Sequence, residues 1–298
     1  MKKHMILVFS ALLCLSFWGC AQQTVEPENP FRPVSYQNEF FENGVLTSHE
    51  RTEYHYNEQG FRTEGLMFEN GVLTTTTQYE HDASGNILRV TSTTEDSTTV
   101  HDIHRTLDDQ NRVLKMEESV DGVLSYIMEY TYDNNGNVLT EIYTAMGSGA
   151  VDFIRHREMT YNRKGELIRE IFRNEDGTYT RYDYEVGEKA KASRYDSSDE
   201  LLSYWEFTYN EAGQLIQESS YICERDGDSR TTRLTNYNLY TYDESGLTVT
   251  KTSHYTDDRP YEHHTVSTYD EYGNELLHER YRDGELYWRI TQEFEPIP

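Results

Sequence analysis

The chain has 298 residues, and 53 Asp and Glu against 27 Lys and Arg leave a formal charge of −26. Nucleic acid is thereby excluded as the main partner, because phosphate binding depends on neutralisation by Lys and Arg. Only 36% of residues are apolar, yet 25 are Tyr; highly charged disordered chains are poor in aromatics, so this composition belongs to a folded protein.

In chain order, Lys2 and Lys3 precede a mostly apolar run, Met5 to Trp18, that ends at Gly19-Cys20. This order of charged region, apolar region and processing site reads as a signal peptide over residues 1–19. The run of 14 residues is too short to span a bilayer comfortably. Phe17-Trp18-Gly19-Cys20 resembles a bacterial lipobox, with bulky Phe17 and Trp18 where that pattern usually has Leu and a small residue. The resemblance implies cleavage before Cys20, lipidation of Cys20 and a membrane partner at that end, hence an exported, membrane-anchored lipoprotein of the cell envelope. Ordinary secretion is the alternative. Cys14 lies in the leader and Cys223 is left without an intramolecular partner, so no disulfide framework is expected. Cys223 reads as a small buried or half-buried hydrophobe rather than a nucleophile.

Residues 20–33 carry Pro27, Pro30 and Pro33 and read as an extended tether, with a repeat domain from 34 to 298. Between Pro33 and Pro296 only Pro260 occurs, as a continuous hydrogen-bonded sheet requires.

A phrase Tyr-Asp/Asn-x-x-Gly recurs, as in Tyr132-Asp133 to Gly136 and Tyr269-Asp270 to Gly273. The marker glycines Gly60, Gly85, Gly136, Gly165, Gly213, Gly246 and Gly273, with Asn111 and Gly187 in degenerate copies, give about nine units of roughly 27 residues. The Asx side chain can bond the backbone of its own turn, and Gly supplies the left-handed exit residue. Midway through most units stands a second turn signal: Asn43-Gly44, Asn70-Gly71, Asp121-Gly122, Asp176-Gly177, Asp226-Gly227 and Asp283-Gly284. Two turns per unit make each unit a β-hairpin and the whole about eighteen antiparallel strands in chain order. Alternation such as Leu124, Tyr126, Met128, Tyr130 and Tyr132 places aromatics on one face, joined by the aliphatic residue third after each marker, among them Leu88, Leu114 and Leu139. Thr, Glu and Arg fill the other. The expected fold is all-β, one long curved or spiralling sheet.

Tyr132 to Leu139 and Tyr269 to Leu276 resemble the YD repeats of the RHS family, and the likeness extends over roughly residues 45–295. It implies a curved β-hairpin sheet. Large family members wrap such a sheet around a C-terminal toxin; with the chain ending at Pro298, directly after the last repeat, an encapsulating role is not expected.

Catalytic phrases are missing: there is no Gly-x-Ser-x-Gly, His-Glu-x-x-His or phosphate loop. His101 and His104, three apart on a strand, point to opposite faces, as do adjacent His263 and His264, so no metal site is expected. The acidic turns at Asp226-Gly227-Asp228 and Asp257-Asp258 match no full calcium loop. Tyr126, Tyr130, Tyr132, Trp205, Tyr209, Tyr240 and Tyr242 are the candidate ligand platform, for a glycan or a peptide or protein partner; the competing reading is that such rings simply pack on one another across strands. The expectation is a non-catalytic binding or structural module without a cofactor, the alternative a hydrolase using acids in the sheet's concavity.

Overall fold

The turns form as their residues dictate. In the Asp133–Asn137 turn, Asp133 Oδ1 accepts the amides of Asn135 at 2.8 Å and Asn137 at 2.9 Å, and Asn137 Nδ2 donates to Oδ2 at 2.9 Å. Gly136, at φ +91°, turns its own amide back to the Asp133 carbonyl. All seven marker glycines have φ between +74° and +91°, and Asn111 holds the same place at +62°. The Asn-Gly and Asp-Gly pairs at 43–44, 70–71, 121–122 and 283–284 have positive φ at both residues, the tightest hairpin geometry. Asp176-Gly177 differs: it lies within a four-residue loop closed by Asn174 N to Thr178 O, because Asn174 supplies a second Asx residue.

A computed structural model describes residues 31–297 apart from 148–149, 186–188, 227–228 and 257–262. The signal segment, Cys20, Gly187 and the turn residues Gly227, Asp228, Asp257 and Asp258 lie outside the described residues. Ten hairpins follow one another. The first five are β1 (Phe31–Glu42) with β2 (Val45–Tyr56), β3 (Arg62–Glu69) with β4 (Val72–His81), β5 (Ile87–Thr93) with β6 (Thr98–Leu107), β7 (Val113–Val120) with β8 (Val123–Tyr132), and β9 (Val138–Gly147) with β10 (Ala150–Tyr161). The rest are β11 (Leu167–Arg173) with β12 (Tyr179–Glu185), β13 (Lys189–Tyr195) with β14 (Leu201–Tyr209), β15 (Leu215–Asp226) with β16 (Ser229–Tyr242), β17 (Thr248–Tyr255) with β18 (His263–Tyr269), and β19 (Glu275–Arg282) with β20 (Glu285–Pro296). Strand β1 takes in Phe31 to Pro33, the end of the segment read as tether.

Every strand pairs antiparallel with its chain neighbours, and β1 also pairs with β20, from Phe31↔Pro296 to Phe40↔Trp288. The sheet is therefore a closed barrel of twenty strands, which corrects the expected long curved or spiralling sheet of about eighteen. The eight described marker turns are links between hairpins, so the repeats join ten hairpins rather than define nine. Closure has a physical reason: it pairs the two edges that an open sheet of this length would expose. The described marker turns lie at one rim, where the first strand starts and the last ends; the tight turns lie at the other.

Most marker turns are followed by a one-residue register shift, as at Thr131/Tyr132, where Tyr132 comes to face Val138. The shift keeps the phrase's Tyr and the following strand on one face despite the odd loop count. That face is the concave one, because its side chains meet across two strand spacings of about 4.8 Å each. The rings of His263 on β18 and Tyr287 on β20 are 6.3 Å apart, and Arg157 on β10 influences Tyr184 on β12. The convex face carries cross-strand ion pairs, Arg89–Asp102 at 2.6 Å and Arg173–Glu158 at 2.6 Å, and Arg289 joins Glu279 at 2.7 Å and Glu39 at 3.5 Å. In a bilayer-spanning barrel these charges would stand in hydrocarbon.

Twenty strands at about 4.8 Å make a perimeter of roughly 100 Å, which on a circular section leaves about 30 Å between opposite walls, wider than side chains fill. Burial agrees. Among the described residues only Val90, Met128, Val138, Met159 and Ala192 are buried hydrophobics, and Leu88, Leu114 and Leu139, the residues passed over at the register shifts, are 37–43% exposed. These aliphatic residues thus do not fill a core.

Candidate functional site: the lumen wall

Parity decides what lines the lumen. The fifth and seventh residues after each marker point inward on the odd-numbered strands, so each repeat contributes two side chains at fixed heights. At the fifth position stand Gly65, Val90, Glu141, Glu170, Glu218 and Lys251, among others. The turn phrase repeats while this position varies, and that is the signal in the sequence that would have identified the wall.

The seven platform aromatics are all half-buried and share the concave face, on β8, β14 and β16. The structure does not gather them into one patch, since five strands lie between β8 and β14. Several are committed to the wall. Tyr132 donates its hydroxyl to the Val113 carbonyl at 2.8 Å and Tyr242 to the Leu215 carbonyl at 2.8 Å, tying each marker turn to the foot of the preceding strand. Tyr130 reaches Met128 Sδ at 3.4 Å, and Trp205 stacks on Tyr182 with centroids 6.4 Å apart. Tyr209 stands beside Tyr242 at the same rim. The packing reading accounts for these rings.

The other tyrosines pair with glutamates that the sequence did not single out. Tyr240 donates to Glu218 Oε2 at 2.9 Å, Tyr184 to Glu170 Oε2 at 2.6 Å, and Tyr126 bonds Glu118, which also meets His101 Nδ1 at 2.7 Å. Burial first, and the adjacent carboxylate second, hold all three phenols above their ordinary range, so they remain donors. Around Glu170 the network widens: Arg157 contacts Glu170 and lies 3.6 Å from Glu141. Burial raises the Glu141 carboxyl above its usual range, against the pull of Arg157.

The histidines separate by face as expected. His101 looks into the lumen, and His263 meets Tyr287 there, whereas His264 stacks on Tyr281 outside with centroids 4.5 Å apart. His278 is an addition: its Nδ1 lies 2.9 Å from Ser267 Oγ and 3.0 Å from Glu275 Oε1. Serine and carboxylate share one ring nitrogen, so the trio lacks the relay a nucleophilic serine needs. No group of three His, Cys, Asp or Glu able to hold a metal occurs among the described residues. Cys223 is a half-buried free thiol.

No family model matches the chain, and no curated protein does. Solved structures are similar at low identity. A porin-like protein from Bacteroides uniformis is 12% identical with a TM-score of 0.38, covering 88% of this chain and 96% of its own. A porin-like protein from Bacteroides vulgatus is 13% identical with a TM-score of 0.31, covering 70% and 98%. The Photorhabdus luminescens Tc holotoxin pore carrying the TccC3-D651A mutation is 12% identical with a TM-score of 0.25; the match covers 85% of this chain but only 18% of that one.

Proposed function

We propose that this chain is a non-catalytic binding or structural module of the cell envelope, a YD-repeat-like lipoprotein held to its membrane through Cys20, with the lumen wall as its binding surface. One observation carries the reading. The barrel is hollow, and its wall presents half-buried aromatic rings beside hydrogen-bonded carboxylates and amides, such as Trp205 near Glu218, Asn238 and Tyr240. Aromatic faces take the apolar side of a sugar or a peptide side chain, and fixed acceptors take its hydroxyls or amides. A glycan array and a peptide panel probed with the purified protein test this. Trp205→Ala and Tyr240→Phe should each weaken the retained ligand by about tenfold; undiminished binding in both would remove the lumen as the surface.

A second reading rests on Glu141 and Glu170. Two inward carboxyl groups around Arg157, one biased towards its protonated form by burial, have the chemistry of an acid and base pair for glycoside hydrolysis. Glycan turnover abolished by Glu141→Gln would replace the binding-module reading with an enzyme.

A further inference from the structure

The charge of −26 is not spread evenly over the barrel. Strands β17 (TVTKTSHY) and β18 (HHTVSTY) contain no Asp or Glu. Register aligns their inward residues with those of β19: Lys251↔Thr265↔Arg280 at one level, with Val249↔Ser267↔His278 towards the marker-turn rim and Ser253↔His263↔Arg282 on the other side. Eight of these nine positions are Lys, Arg, His, Ser or Thr. The carboxylate nearest them on these strands, Glu275, stands at the foot and is engaged by His278. Glu279 points outward, where it holds Arg289.

The two central cations are aimed at rings. Lys251 Nζ is 5.6 Å from the Tyr240 ring centroid, and the Arg280 guanidinium lies 4.2 Å over Trp288 with its Nε donating to His278 Nε2 at 3.4 Å. Their backbones are two strand spacings apart, about 10 Å, and they lean to opposite sides, Lys251 towards β16 and Arg280 towards β20, so that closing on one group above Thr265 requires each long side chain to swing off its ring. On the far wall, Arg157 has Glu141 and Glu170. The lumen wall is thus uneven: Glu118, Glu141, Glu170 and Glu218 line β7, β9, β11 and β15, whereas β17–β19 present cationic, imidazole and hydroxyl side chains above Glu275.

We propose that the β17–β19 wall is an oxyanion-binding site, taking a phosphate, sulfate or carboxylate group of a lumenal ligand through Lys251, Thr265 and Arg280. Cationic and hydroxyl donors at one level of a wall, beside aromatic rings, are the chemistry that recognises such a group. The acidic exterior would turn the same ligand away from the outer wall and leave the lumen as its place of capture.

The inference rests on the lumen being the binding surface, and the experiment separates the two. The purified protein is titrated calorimetrically with inorganic phosphate and with inorganic sulfate at constant ionic strength. Saturable uptake is expected, weakened about tenfold or more by Lys251→Gln and by Arg280→Gln, retained in Lys251→Arg, and untouched by Arg89→Gln on the outer wall. Circular dichroism checks each variant's fold. If Arg280→Gln does not fold, Thr265→Val, which removes one hydroxyl and no charge, must still weaken binding. Equal affinity in the Lys251→Gln protein, or no saturable uptake of either anion, overturns the site. Array ligands held through Trp205 without anion uptake overturn this inference and leave the binding-module reading standing.

Discussion

Tyrosine is preferred to phenylalanine on this wall because its hydroxyl has somewhere to go. A ring on a half-wet surface gains from stacking, and its hydroxyl satisfies a carboxylate that would otherwise lose water for nothing. Tyr126, Tyr184 and Tyr240 do this for Glu118, Glu170 and Glu218. The cost of breaking such a pair is predictable at Glu170, whose side chain is only 7% exposed beside Arg157. Glu170→Ala leaves the guanidinium and the Tyr184 hydroxyl without their acceptor and should cost about 2–3 kcal/mol in urea melts; a loss under about 0.5 kcal/mol would show the network to be idle. The tyrosines were legible from alternation alone. Their glutamate partners were not, because with 53 acids in the chain no single one stands out, and only the count of five from the marker separates Glu170 and Glu218 from the rest.

Each marker turn is a small device in which an Asx carboxylate or amide caps the loop and a left-handed residue closes it. Gly136 has open space around the place a Cβ would occupy, so its requirement is conformational, not steric. Gly136→Val should destabilise the barrel by about 1–3 kcal/mol, whereas Gly136→Asn should cost well under half as much, since Asn111 already adopts this geometry. Equal losses in denaturant melts would refute the distinction. The turn aspartates add a pH dependence. Hydrogen bonds from Asn137 hold Asp133, and those from Thr248 hold Asp243, below the ordinary 3.8, and Asp82 and Asp108 behave alike. A carboxylate whose folded value is depressed contributes stability above its unfolded value and loses it as pH falls through the folded one. Thermal stability should therefore hold from neutrality to about pH 4 and fall below it; Asp133→Asn together with Asp243→Asn should flatten that fall, as followed by circular dichroism. Turn positions and turn types were readable from sequence because they depend on two or three adjacent residues. Asp176-Gly177 was misread where Asn174, two residues earlier, captured the loop.

At the level of the molecule, stability comes from continuity: each strand's backbone lies against its hydrogen-bonded neighbours alone, and the described residues form no packed centre to compensate for a missing one. Removal of β20 would leave β1 and β19 as long unpaired edges, so a chain truncated after Asp283 should aggregate and lose its single melting transition. A monomeric truncation with native melting, measured by size exclusion and circular dichroism, would mean that closure contributes little. The repeat, the hairpins, the turn chemistry and the aromatic face follow from residues near one another in sequence, and the sequence alone determined them. Closure did not follow, because it depends on the accumulated twist of nineteen strand pairings bringing Phe31 to Pro296, residues that no local pattern connects. The same long-range step turned one face inward, left it hollow, and set Lys251 beside Arg280 across Thr265; only the tertiary structure decided which side chains share that enclosed space.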